Sequence, residues 1–120
     1  MRHKIKIIIK HYVGDTWSYS GYEGPGCILF QNTFENTTEG ITEFTGAIHG
    51  LMYIKKKCWY GDVVIKNPYI KDCIEAQQYK HKPKGEKASE FYRRCYLWML
   101  ENKASINIEL YNEKETANTK

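Results

Sequence analysis

Across Glu43-Phe44-Thr45-Gly46-Ala47-Ile48-His49-Gly50-Leu51 the apolar residues return at three- and four-residue spacing, and the series Ile41, Phe44, Ile48, Leu51, Met52 extends the pattern at both ends. This is the period of one buried helical face. It predicts a helix from Ile41 to about Lys56, closed by Lys55-Lys56-Lys57, whose ammonium groups complement the partial negative charge of a helix C-terminus. Glu43 stands off the Phe44 and Ile48 stripe and shares another with Ala47 and Gly50, small residues that let a helix approach a sheet closely. That arrangement aims the Glu43 carboxylate at the top of the sheet. A solvated glutamate facing the positive end of the helix is the other reading of the same position.

Upstream, Lys4 to Val13 is dense in β-branched residues, with Ile5, Ile7 and Ile9 alternating against Lys6, Ile8 and Lys10, and reads as the first, central strand. A loop rich in Gly, Ser and Tyr is expected next, ending in the turn Gly24-Pro25-Gly26. Cys27 to Thr33 reads as a second strand, and Phe34 to Glu39 as a short third one. Downstream, Val63-Val64-Ile65 suits a buried strand, and Asn67-Pro68 starts a helix to about Tyr79, with Asn as cap and Pro at the first helical position. After a basic loop, Lys80 to Lys87, a further helix capped by Ser89 is expected, then a strand over Ile106 to Leu110. The expectation is one α/β domain over residues 1–112, with a polar tail at 113–120. It is a mixed sheet of about five strands, the first central, with helices on both faces.

Composition bounds the class. At 120 residues, with 42% hydrophobic and 27% charged, the chain has room for one core and none of the profile of a disordered segment. The 18 Lys plus Arg against 14 Asp plus Glu give a net charge of +4, which permits nucleic-acid binding without requiring it. Cys27, Cys58, Cys73 and Cys95 are too scattered for a zinc site. No signal peptide or apolar run of membrane-spanning length is visible, so a cytoplasmic location with reduced thiols is expected.

The segment from Glu43 to Leu51 resembles the helix motif of ribonuclease H, commonly written E-L-T-A-A-I-E-A-L, and Thr38-Glu39-Gly40-Ile41-Thr42 before it looks like that family's T-N-N-R-M. Asp15 followed by Gly24-Pro25-Gly26 and an apolar strand is similar to the family's Asp, glycine-rich turn and second strand. Val63-Val64-Ile65 followed by Tyr69 and Ile70 is similar to its fourth strand and next helix. The resemblance implies a ribonuclease H-like fold and a nuclease that cuts RNA in RNA–DNA hybrids. Such chemistry uses two Mg2+ or Mn2+ ions about 4 Å apart held by convergent carboxylates. Asp15 and Glu43 are then the implied metal ligands, and Glu115, or Glu113, in Asn112-Glu113-Lys114-Glu115 the last acid. The pattern breaks at the end of the fourth strand, where the family's third carboxylate falls on Lys66 or, one residue on, Asn67. Two functions follow: a metal-dependent ribonuclease using Asp15, Glu43 and Glu115, or a non-catalytic module of the same fold that binds nucleic acid or a protein partner.

Several other residues carry two readings. Asp15 is a ligand or an ordinary turn residue. Lys80, Lys82 and Lys84, with His81 and Lys87, form a phosphate-binding loop or a solvated one. Trp17, beside Tyr19 and Tyr22, stacks on a nucleobase or packs in the core. Trp59, Tyr60 and Trp98 read as core or hinge aromatics, and His11 and His49 as structural.

Overall fold

In the computed structural model, which describes residues 2–111, β1 (Arg2–His11) and β2 (Trp17–Tyr22) form an antiparallel hairpin that sets Ile7 opposite Gly21 and Ile9 opposite Tyr19. β3 (Ile28–Phe34) pairs antiparallel with β2. On its other side β1 runs parallel to β4 (Tyr60–Ile65), which runs parallel to β5 (Ile108–Leu110). The order β3-β2-β1-β4-β5 is a five-stranded mixed sheet with the first strand at its centre. The expected polar tail lies outside the described residues.

Helix α1 (Glu39–Lys56) crosses this sheet, and two glycines set how closely. A Cβ on Gly46 would come within 2.9 Å of the Tyr19 ring and 3.0 Å of Ile7, and one on Gly50 within 2.8 Å of Val63. α2 (Pro68–Glu75) and α3 (Glu86–Glu101) pack around α1, burying Ile70, Ile74, Tyr92, Cys95 and Met99 in one cluster with Phe44 and Ile65. Full burial of a side chain such as Phe44, 0% exposed, contributes about 2–3 kcal/mol. The apolar stripes of α2 and α3 close against α1 and its core. The opposite face carries Lys4 in an ion pair with Glu109 at 3.2 Å, and Lys6 over the Tyr111 ring. No described helix is long and apolar enough to cross a membrane.

Several boundaries differ from expectation, the first strand running over Arg2–His11 and the last over Ile108–Leu110. The loop expected before Gly24 contains β2, and its small residues are what that strand requires: a Cβ on Gly21 would sit 2.2 Å from the Phe30 ring. The strand expected second, Cys27 to Thr33, is therefore the third, and Gly24-Pro25-Gly26 turns β2 into β3 with positive φ at both glycines. Of the segment Phe34 to Glu39 only Phe34 lies in a strand. α2 stops at Glu75, and Gln77 at φ 56° redirects the chain. α3 begins at Glu86 with Gly85 as its cap; the Ser89 hydroxyl donates to the Pro83 carbonyl at 2.9 Å instead.

Candidate nucleic-acid interface at the C-terminal edge of the sheet

Glu43 occupies the second turn of α1 and is 5% exposed. The close approach set by Gly46 and Gly50 brings its Oε2 to the first residue beyond β4, where it accepts the backbone N–H of Lys66 at 3.0 Å. Burial pushes the Glu43 pKa up, the N–H groups of Lys66 and Asn67 oppose that, Glu39 adds to it, and the Lys66 ammonium offsets part of it. The carboxyl group thus fastens α1 to the β4–α2 corner. Asn67 is engaged as well, its side-chain oxygen accepting the Tyr69 N–H at 2.9 Å as the cap of α2.

Asp15 lies in the exposed turn between β1 and β2, beyond the end of the strand. Its backbone carbonyl accepts the Thr37 N–H at 3.0 Å, and it is not among the charged groups that act on Glu43. The positions of β1 that face α1 are Ile5, Ile7 and Ile9, so the central strand brings no carboxylate to the helix. Asp62, at the other end of β4, is buried in a two-pronged ion pair, with Arg2 Nε and Nη2 each 2.7 Å from a carboxylate oxygen. Glu113 and Glu115 lie outside the described residues. Among the described residues no three His, Cys, Asp or Glu side chains stand close enough to hold a metal ion together. Two divalent cations need several convergent carboxylates, and of the described residues Glu43 brings one, with one of its oxygens bonded to a backbone N–H.

The structure does assemble a basic rim. Lys66 is exposed at the end of β4. The loop carrying Lys80, Lys82 and Lys84, all exposed, is held beside the start of α1 by the N–H groups of Lys84 and Gly85, which donate to the Asn36 carbonyl at 2.9 and 3.2 Å. Tyr79, at the root of the loop, stacks on Phe44 with ring centroids 4.6 Å apart. On the other flank Trp17, half-buried, opens β2 and stacks on His11 at 4.3 Å. The turn holding Asp15 and the lysine loop therefore meet on one short segment, residues 35–38, ahead of α1. Sequence reasoning missed this junction, since it rests on main-chain bonds that carry no residue signature.

The same fold occurs in solved ribonucleases H. Ribonuclease H1 of the halophilic archaeon Halobacterium salinarum NRC-1 superposes with a TM-score of 0.58 at 11% identity, over 98% of this chain and 90% of that one. The PFV ribonuclease H domain gives 0.60 at 12% identity, over 99% and 84%. LC11 ribonuclease H1, solved in complex with an RNA/DNA hybrid, gives 0.55 at 13% identity, over 97% and 89%. At such identities the likeness shows the fold alone. No protein-family model matches the chain, and no curated protein matches it by sequence.

Proposed function

We propose that this chain is a nucleic-acid-binding module on the ribonuclease H fold that does not cut its ligand. The observation that carries the reading is the setting of Glu43, whose carboxyl is 5% exposed and bonded to the backbone N–H of Lys66, with no group of three His, Cys, Asp or Glu side chains placed to hold a metal ion among the described residues. At the end of β4 the exposed Lys66 holds its ammonium 5.7 Å over the Tyr111 ring, and Lys80, Lys82 and Lys84 complete the basic rim. Such a surface attracts phosphates directly, without metal ions as intermediaries. The hybrid bound by LC11 ribonuclease H1 makes an RNA–DNA duplex the first ligand to try.

Fluorescence anisotropy with a labelled RNA–DNA hybrid tests the binding. Affinity should fall as salt rises, with a log–log slope near −0.9 per phosphate contact. The triple variant Lys80→Glu, Lys82→Glu, Lys84→Glu should lower that slope by about 2–3. Hybrid incubated with Mg2+ or Mn2+ should stay intact. Metal-dependent cleavage lost in Glu43→Gln would establish the catalytic alternative, with Asp15, Glu43 and Glu115 as its acids.

A further inference from the structure

We propose that the groove between the C-terminal halves of α1 and α3 is a second, separate site that takes a single strand of nucleic acid. Lys55, Lys56 and Lys57 line it from the end of α1, and Arg94 from α3, with no carboxylate in the lining. None of these four cations has a carboxylate partner among the described residues. The Lys55 ammonium donates to the Asn102 side-chain oxygen, Lys57 sits 5.6 Å over the Tyr53 ring, and Arg94 lies 5.9 Å over Phe91. Complementing a helix dipole requires only about half a unit of charge, so a surplus of roughly three positive charges remains. A surplus of that size on one short surface is a phosphodiester footprint.

The floor of the groove says which form of nucleic acid fits. It is a recess of about 560 Å3, within the ~300–1,000 Å3 range of ligand clefts. Its base carries half-buried aromatic rings: Trp98, and Phe91 edge-on to His49 at 5.4 Å, with His49 in turn stacked on Phe30 at 4.0 Å. A ring at the bottom of a recess can stack on an unpaired base, whereas the bases of a duplex are already stacked on each other and turned inward. The lysines of the site lie about 20 Å from Glu43 along the axis of α1, at the ~1.5 Å rise per residue of a helix, away from the basic rim.

The test uses the full chain and fluorescein-labelled oligothymidine. Wild type should bind with a salt slope near −0.7 per phosphate contact and with quenching of tryptophan emission. Lys56→Glu with Arg94→Glu should weaken binding about tenfold or more at 0.1 M salt. Trp98→Phe, which keeps a stacking ring, should retain binding and lose the quenching, assigning the signal to Trp98 and not to Trp17 or Trp59. The rim variant Lys80→Glu, Lys82→Glu, Lys84→Glu should weaken oligothymidine binding far less than the groove variant does, so failure of the rim reading leaves this one standing. Should charge reversal on α3 disturb folding, Lys56→Gln with Lys57→Gln must still weaken binding by severalfold. The proposal is overturned if the groove variants bind unchanged, if quenching survives in Trp98→Phe, if the rim variant abolishes oligothymidine binding, or if phosphatidylserine vesicles bind and oligothymidine does not.

Discussion

A carboxyl group buried as Glu43 is responds to pH in the opposite sense to an ion-paired one. Its folded pKa lies above the ordinary glutamate value of 4.5, chiefly through burial, so the folded state holds the proton more tightly than the unfolded chain. Its contribution to stability is complete below 4.5 and is lost as pH rises through the elevated folded value. Glu43→Gln, which keeps an acceptor for the Lys66 N–H, should therefore gain stability relative to wild type as pH rises from about 4 to 7. Urea denaturation of both proteins across that range checks it, and a difference that does not change with pH would contradict it. The neighbouring cation gives a second expectation. Lys66→Asp should raise Mn2+ affinity measurably by calorimetry, since it replaces an ammonium at the edge with an oxygen donor. At this scale the sequence revealed much: the resemblance placed a lysine where an acid was required. It did not reveal the bond between Glu43 and the Lys66 backbone, because that depends on how deep α1 sits on the sheet.

Depth is a property of the element, and Gly46 sets it. Gly46→Val would drive methyl groups into the Tyr19 ring and Ile7, lifting α1 from the sheet and costing about 2–4 kcal/mol, readable in urea denaturation. Over the same helix turns runs a partly buried polar chain: the Asn32 amide donates to the Tyr19 hydroxyl at 2.6 Å, and that hydroxyl lies 2.7 Å from His49 Nδ1. Burial lowers the His49 pKa from 6.5 to about 4, so the ring is neutral in the fold and accepts the tyrosine proton. With the folded value depressed, the unfolded chain binds more protons between those limits, and stability falls as pH drops from 6.5 towards 4. Discounted for the ring's partial exposure, the loss is about 2 kcal/mol, and His49→Gln should remove this acid limb from the pH profile. α1 was legible because its apolar period repeats over several turns. β2 was not, because Ser18, Ser20 and Gly21 read as loop formers until Phe30 is seen to need the space they leave.

For the whole molecule, one core means one unfolding event. α1 packs on β1, β2 and β4 as well as on α2 and α3, and no described element keeps an apolar cluster of its own. Urea transitions followed by far-UV circular dichroism and by tryptophan emission should therefore coincide. Mixed topology with a central first strand could be read from the isoleucine-dense start and the later helical periods. The identity of the second strand and the hairpin to which Gly24-Pro25-Gly26 belongs could not, since one undetected strand shifts every later correspondence. The segment ahead of α1 has a consequence in time. Thr37 N–H bonds to Asp15, and the Lys84 and Gly85 N–H groups both bond to Asn36, all outside regular helix or strand. These amides are locked by contacts between stretches far apart in the chain, so they open only when those stretches part. In deuterated solvent they should exchange orders of magnitude more slowly than the neighbouring loop amides of Lys80 and Lys82, marking an irregular junction that keeps time with the core.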